Sequence, residues 1–306
     1  MAAAASDTIA ARSRGIGVRH RRARGGARVG FDLSAIGTTL ESEEFRVNTA
    51  RLAQFAAAID DSNEAHRAGR VASPVFAVVP VMQVMVAAAR RVTRLFSVHG
   101  QQDFVFHRPI VPGMRLVSRA TVHGVRPGPA GVAVIVRVAT DDADGTPVNR
   151  QFFTAFAAKA QAERAAGEAA PDHRMPPGAT EQAPLTRLTC KLTADHTRRY
   201  GDASRDYSDY AIDPDAARAK GFAHPLVHGM LTLAFAGRAV VEGACGGDST
   251  RLRRFAARFS NPVFLLPDEA ITTTLWKLDG SGRFGFESTN VAGRTVIAHG
   301  LAEVAA

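Results

Sequence analysis

Along the chain, apolar residues at helical spacing are followed by strand-like apolar runs, and this order occurs twice. Each half begins with a short helical stretch whose apolar residues recur at helical spacing, namely Leu52, Phe55, Ala56 and Ile59 in the first half and Tyr200 and Ala203 in the second. A polar segment and a strongly apolar stretch follow, and the latter predicts helices near Val79–Val92 and Gly229–Val241. Together with the equal order of elements, this pattern predicts an internal duplication.

Strand-like runs come after the apolar helix in each half. In the first half they are Asp103–His107, Leu116–Val125, Val132–Thr140 and Pro147–Ala157, and in the second Arg254–Phe259, Ala270–Leu278, Gly282–Val291 and Thr295–Val304. Turn residues such as Asp144-Gly145 separate consecutive strands, which favours antiparallel pairing. An apolar helix followed by such strands is typical of an α+β domain in which an antiparallel sheet wraps around the helix.

Residues 159–184, rich in Ala, Glu, Pro and Gly, separate the halves and predict a linker. Its Ala-rich part, Ala160–Ala170, predicts a short helix, which Pro171 and the later prolines terminate. The domains are then expected at 31–158 and 185–306, a usual size for one domain.

Much of the net charge of +9 lies near the N-terminus, because residues 1–30 contain seven arginines. This Ala- and Gly-rich segment lacks apolar periodicity and predicts a disordered tail or an over-extended start. A nucleic-acid-binding arm is the alternative for this segment, but we expect no nucleic-acid partner. We also expect no membrane partner, because Pro80 and Gln83 interrupt the longest apolar run of the chain. The two cysteines, Cys190 and Cys245, show no metal-binding spacing, which suits a reducing cytoplasm.

The candidate chemistry lies between the first helix and the apolar helix of each half. The second half reads Asp206-Tyr-Ser-Asp-Tyr-Ala-Ile-Asp-Pro214, then Gly221-Phe222 and His228-Gly-Met-Leu-Thr232. This succession resembles the MaoC-like hydratases, which carry S-G-D-x-N-P-[IL]-H-x-D-P, a GF pair and H-G-M-[LC]-T. The resemblance implies a tandem, or double, hot-dog fold and a hydratase or dehydratase of acyl thioesters.

The resemblance implies a catalytic aspartate and a catalytic histidine that lie five residues apart in the sequence. In the second half they fall on Asp206 and Ala211, and alanine cannot do acid–base chemistry. The equivalent place in the first half reads Asp61-Ser-Asn-Glu-Ala-His66, which keeps the family's residue types and spacing. Asp61 and His66 are therefore the predicted catalytic pair, expected to hold one water between them.

Further residues are predicted to bind the substrate: Asn63, Ala77, Val78, Asp206, His228 and Gly229. Ala77 and Val78 align with His228 and Gly229, where backbone N–H groups at a helix start are expected to face the thioester oxygen. Without a catalytic role, Asp61 and Asp206 would be ordinary turn residues, and His66 an exposed loop histidine.

The sequence thus predicts an enoyl-thioester hydratase or 3-hydroxyacyl-thioester dehydratase, acting on acyl-CoA or on acyl carrier protein without metal or other cofactor. Two alternatives stay open: a non-catalytic protein that binds acyl thioesters, motivated by Ala211, and a hot-dog thioesterase. A homodimer of double hot-dogs is a further expectation.

Overall fold

The computed structural model describes residues 30–306, so the tail predicted for residues 1–30 lies outside the described residues except for its last position. Twelve strands form one sheet in the order β1-β4-β5-β6-β3-β9-β12-β11-β10-β8, with β2 and β7 each paired to β4. The strands are β1 (Thr39–Glu41), β2 (Phe45–Arg46), β3 (Val98–Phe106), β4 (Arg115–Gly128), β5 (Gly131–Asp142), β6 (Pro147–Ala158), β7 (Ala166–Gly167), β8 (Thr186–Lys191), β9 (Leu252–Phe259), β10 (Ala270–Lys277), β11 (Arg283–Asn290) and β12 (Thr295–Val304).

The helices carry the residues that the sequence singled out. They are α1 (Thr49–Ala58), α2 (Glu64–Arg67), α3 (Met82–Val92), α4 (His196–Ser204), α5 (Asp209–Ile212), α6 (Pro214–Ala219) and α7 (Gly229–Gly243). Short 3₁₀ helices span Leu33–Ala35, Pro74–Val78, Ala179–Glu181 and Ser249–Arg251.

The two halves of the repeat join through their first long strands. β3 and β9 pair antiparallel with Phe104 opposite Phe255, so equivalent strands lie side by side and the sheet runs without a break from one half into the other. Next to this pair, the buried Asp103 carboxylate accepts hydrogen bonds of 3.2 and 2.7 Å from Arg254 Nε and Nη2. The centre of the sheet is therefore the junction between the halves.

Of the two long apolar helices, α7 is much the more buried. Eleven of its fifteen residues are buried, as its strongly apolar sequence predicts. In contrast, α3 has an exposed stripe that includes Gln83, Ala87, Arg90 and Arg91. α3 is also shorter than the predicted Val79–Val92: a 3₁₀ helix over Pro74–Val78 precedes it, since Pro80 has no N–H to donate to a continuous helix.

The segment between the halves is packed against the sheet. The helix predicted for Ala160–Ala170 is wrong: Ala166 and Gly167 form β7 instead, paired with Val125 and Gly124 of β4. Gly167 is needed there, because its φ is +66° and a Cβ would lie 2.3 Å from the His123 carbonyl oxygen. Further along, the buried His173 donates from Nδ1 to the His299 carbonyl at 2.6 Å.

Among the described residues, no helix has both the length and the apolar character needed to cross a membrane.

The two cysteines, Cys190 and Cys245, are free and buried. Burial raises the pKa of the Cys245 thiol to about 11.

Candidate functional site

Asp61 and His66 lie in the chain reversal that follows α1. Asp60 adopts a left-handed conformation with φ 47°, and the Asp61 N–H donates to the Ala56 carbonyl at 2.8 Å, which closes the helix. The turn directs the Asp61 carboxylate towards α2, where Oδ2 accepts a 2.7 Å hydrogen bond from His66 Nδ1. Both side chains are buried, with 4% of the Asp61 and 2% of the His66 side chain exposed. His66 is therefore not an exposed loop residue.

Asn63 holds this turn in place and ties it to the other half of the chain. Its Oδ1 accepts from the backbone N–H groups of Ala65 and His66, which makes Asn63 the N-cap of α2. Its Nδ2 donates to the Gly247 carbonyl at 2.7 Å. The sequence predicts that Asn63 binds the substrate. In the structure, its side-chain amide is hydrogen-bonded to backbone groups of the protein and positions His66.

The hydrogen bonds of His66 define which of its nitrogens is available for chemistry. A carboxylate only accepts, so Nδ1 carries a proton towards Asp61, and Nε2 of the neutral ring is left with its lone pair. The Ser249 hydroxyl lies 2.8 Å from Nε2 and is placed to donate to it. Asp61, His66 and Ser249 thus form one hydrogen-bonded line, in which the last member comes from the second half.

Ser249 opens onto a groove of about 390 Å³ between the two halves. The first half contributes Ser73, Pro74 and Arg108, and the second contributes Thr250 and Arg253. The expectation that Asp61 and His66 hold a water jointly does not match this geometry, since the Asp61 carboxylate faces Nδ1 on the far side of the ring. A substrate in the groove would meet Ser249, which lies between the groove and His66 Nε2.

Ala77 and Val78, predicted as oxyanion donors, are not among the residues that line this groove. Both are buried within the 3₁₀ helix that precedes α3, and the Ala77 carbonyl accepts a 2.8 Å hydrogen bond from Gln151 Nε2. The prolines at 74 and 80 are the physical reason, because they replace the start of a long helix by a tight turn.

The matching place in the second half has a different set of contacts. The Asp206 Oδ1 accepts from the Ser208 N–H at 3.2 Å and from its hydroxyl at 2.7 Å. The Asp206 carbonyl accepts from His228 Nε2 at 3.0 Å. Ala211, which aligns with His66, is fully buried. The second half therefore keeps the turn and has no imidazole in the place of His66.

His228 and Gly229 begin α7, as the sequence predicts for them. His228 Nδ1 is buried without a hydrogen-bond partner in the described structure, and burial lowers the pKa of this histidine. A Cβ on Gly229 would come within 3.3 Å of the Phe259 ring. Phe259 thus packs directly against the helix start and leaves little room for a side chain at position 229.

Ser249 and Gly247 are the site residues that sequence reasoning missed. They lie just after α7, in a Gly- and Ser-rich turn whose counterpart after α3 is different, so neither the repeat nor any motif distinguishes them. No group of three or more His, Cys, Asp and Glu side chains between residues 30 and 306 is arranged to hold a metal ion.

Comparison with known proteins agrees with this two-part architecture. Residues 176–302 match the model of the MaoC-like domain, and residues 34–151 match that of the FAS1-like dehydratase domain region. The probable enoyl-CoA hydratase 2 of Dictyostelium discoideum is 25% identical over 209 residues, which are 68% of this chain and 70% of that protein.

Solved structures show the same fold. A MaoC-like dehydratase from Phytophthora capsici superimposes with a TM-score of 0.75 at 23% identity, covering 89% of this chain and 96% of the other. A Mycobacterium tuberculosis protein described as a double hot-dog fold superimposes with a TM-score of 0.58 at 14% identity, covering 89% and 97%.

The described part of the chain is a double hot-dog protein of the α+β class, with a buried Asp–His pair at the junction of its halves. Residues 176–302 are similar to the MaoC-like domain and residues 34–151 to the FAS1-like dehydratase region. The predicted fold class and the predicted resemblance to MaoC-like dehydratases are confirmed.

Proposed function

We propose that this chain is a hydro-lyase that adds water to enoyl thioesters, or removes it from 3-hydroxyacyl thioesters, with His66 as its acid–base group. The observation that carries the proposal is the buried line Asp61–His66–Ser249, which ends at the groove between the halves. The similarity of residues 176–302 to the MaoC-like domain and the named activity of the Dictyostelium relative support the same reaction class.

The proposed hydration uses one imidazole twice. His66 Nε2 takes a proton from water as the water oxygen bonds to the β-carbon of the enoyl group, and the resulting imidazolium then gives a proton to the α-carbon. Asp61 favours the imidazolium, because its carboxylate accepts the Nδ1 hydrogen bond in both states of the ring. Dehydration is the reverse of these steps.

Ser249 takes part by its contact with Nε2. In the resting site its hydroxyl donates to the Nε2 lone pair, so it must turn away before water can donate there, and it can accept from Nε2 once the ring is protonated. A hydroxyl serves both protonation states without moving the ring. Because Ser249 belongs to the second half, the proposed site requires both hot-dog units.

The thioester carrier, the compartment and the assembly belong to the same proposal. The family and the Dictyostelium relative support coenzyme A as carrier, while acyl carrier protein stays an alternative. A cytoplasmic location and a homodimer stay predictions.

A crotonyl-CoA hydration assay tests the proposal. His66→Ala is expected to lower kcat by about 100-fold or more, the usual contribution of a positioned acid–base group. His224→Ala, which removes an exposed histidine of the second half, is the matched control and should keep wild-type turnover. Equal turnover of the two variants would refute the role of His66.

Thioester hydrolysis is a second candidate, and one specific observation favours it. The order Asp61, His66, Ser249, with distances of 2.7 and 2.8 Å, is also that of an activated serine nucleophile. Release of free thiol from crotonyl-CoA, measured beside the loss of enoyl absorbance, distinguishes the two reactions. Our proposal predicts loss of the enoyl group with the thioester bond intact.

A further inference from the structure

A second groove, which we call the arginine groove, runs along the exposed face of α3. Its other wall is the segment 205–208 between α4 and α5. The groove is open to solvent and has about 1530 Å³ of empty space, far more than the groove at Ser249. Its floor includes the apolar side chains of Met82 and Val86. This surface is not used by the proposed reaction.

Four guanidinium groups line the arginine groove: Arg90, Arg91, Arg94 and Arg205. Within residues 30–306, none of them forms an ion pair or a side-chain hydrogen bond. In contrast, the two arginines of the groove at Ser249 each have a partner. Arg108 forms an ion pair with Asp142 at 2.6 Å, and Arg253 donates a hydrogen bond to the Thr250 carbonyl at 2.7 Å. The arginine groove thus places four positive charges beside a single carboxylate, that of Asp206, with which none of them forms an ion pair.

Favourable interaction with the helix dipole does not account for this cluster. Basic residues are common in the last turn of a helix, and Arg90 and Arg91 are in that position on α3. However, Arg94 lies beyond the end of α3, and Arg205 comes from a different segment. Arg205 has a φ of 63°, and its guanidinium is held over the Phe45 ring at 5.7 Å. Two separate parts of the chain converge on one positive surface.

The remaining groups in the groove define what kind of anion it suits. The Asp206 carboxylate is hydrogen-bonded to Ser208, and so it is occupied within its own turn. Next to it, Tyr207 is 63% exposed, the most exposed aromatic side chain among the described residues. Guanidinium groups bind phosphate through paired hydrogen bonds, and an exposed aromatic ring stacks on a nucleobase.

We propose that the arginine groove binds a nucleotide that carries more than one phosphate, with the arginines on the phosphates and Tyr207 against the base. On the proposed function, this ligand is the nucleotide end of a coenzyme A thioester, whose long pantetheine arm separates it from the acyl group. Anion binding at the groove itself does not depend on that function.

Direct binding of adenosine 3′,5′-bisphosphate to the full chain tests the site without catalysis. Calorimetry on wild type should give an affinity that falls as salt is added, since exposed charges are screened. The double variant R90E/R94E is expected to weaken binding at least tenfold, and R90Q/R94Q to weaken it less. Tyr207→Ala should also weaken binding, by severalfold.

The matched control is R137E/R187E, which makes the same change in net charge at two exposed arginines of β5 and β8 that have no ion pair in the described structure. Its affinity should stay within twofold of wild type. Equal weakening by the control would show a general charge effect and overturn the proposal, as would unchanged binding in R90E/R94E. Melting temperatures of all variants establish that they are folded.

Hydration kinetics then decide which nucleotide the groove serves. For crotonyl-CoA, R90E/R94E should raise KM and leave kcat near wild type, while crotonyl-N-acetylcysteamine, which lacks the nucleotide, should be unaffected. If the bisphosphate loses affinity but the KM for crotonyl-CoA does not change, the groove binds a free nucleotide and its assignment to the thioester carrier is overturned. Loss of turnover in His66→Ala bears on the proposed function alone.

Discussion

At the level of single residues, the chemistry of the proposed site depends on which His66 nitrogen carries the proton. The Asp61 carboxylate determines this, because it can only accept a hydrogen bond and therefore keeps the proton on Nδ1. Nε2 is left to face Ser249, which lines the groove. Asp61 is then an orienting group that also favours the imidazolium, and His66 is the group that exchanges protons with the substrate.

Replacing Ser249 by alanine should slow hydration by about fivefold, mainly through kcat, because Nε2 loses a hydrogen-bond partner worth roughly 1 kcal/mol. Ser249→Thr should retain most of the activity, since it keeps the hydroxyl. Thr250→Ala is the control: Thr250 lines the same groove, but its hydroxyl donates to Asp248. Wild-type kinetics of Ser249→Ala on crotonyl-CoA would contradict a role for this residue.

Asp61 and His66 could be predicted from the sequence, and Ser249 could not. The spacing of the pair and its register with Asp206 and Ala211 distinguish it from a chance string of residues. Ser249 reaches Nε2 only through the tertiary arrangement of the two halves, and no local pattern encodes that contact. Val78 lies in a proline-bounded 3₁₀ helix and does not line the groove at Ser249, so its role as a donor stays a prediction.

Among the elements of the fold, β3 and β9 have the central position. They join the halves into one sheet, and the Asp103–Arg254 pair crosses between them. The Asp103 side chain is fully buried, and 17% of the Arg254 side chain is exposed. A buried pair of this kind leaves an uncompensated charge when one partner is removed, so it fixes the register of the junction.

Asp103→Ala should therefore lower the free energy of unfolding by about 3 kcal/mol. The double variant D103A/R254A should lose less than the sum of the two single variants, because neither buried charge of the pair remains and Glu303, the other partner of Arg254, is 39% exposed to solvent. Asp215→Ala, which breaks the exposed pair with Arg218, should cost about 0.5 kcal/mol or less and serves as the control. Additive losses in urea unfolding would show that Asp103 and Arg254 do not interact.

The long strands and both apolar helices were predictable because their hydrophobic periods are strong. Thr295–Val304 is a strand with the predicted bounds, and α7 is buried over most of its length. The segment 159–184 was not predictable in this way. Its alanines favour a helix locally, but pairing of β7 with β4 overrides that preference.

For the molecule as a whole, the two halves share one fold and differ in what they do with it. The first half has the Asp–His pair and an α3 with an exposed basic face. The second half has lost the histidine and buries α7 almost completely. The proposed reaction depends on both, since Ser249 and Gly247 of the second half contact His66 and Asn63 of the first.

Several histidines that are buried or partly buried make the stability of the molecule depend on pH. Burial lowers the pKa of His99 to about 4 and also lowers the pKa of His173 and His228. The unfolded chain then takes up protons below about pH 6.5, while the folded chain does not, so stability is fully present above that pH and is lost as the pH falls.

Urea unfolding at pH 7.5 and at pH 5 should therefore give a lower unfolding free energy at pH 5. For each histidine, the decrease should be on the order of 1 kcal/mol per unit by which its folded and unfolded pKa values differ within this pH range. His99→Gln should reduce the decrease, because glutamine can still hydrogen-bond to Gln102 but does not titrate. A stability that rises towards pH 5 would contradict the assignment of these histidines as neutral in the folded protein.

The most direct test of the location of the chemistry compares the two equivalent aspartates. Asp61→Asn and Asp206→Asn make the same change in the first and second halves, and both are assayed for crotonyl-CoA hydration. Asp61→Asn is expected to lower kcat by about 100-fold, since it disturbs the tautomer of His66. Asp206→Asn should stay within about threefold of wild type, because its carboxylate serves only its own turn. The reverse result, with activity lost in Asp206→Asn and kept in Asp61→Asn, would place the reaction in the second half and contradict this account.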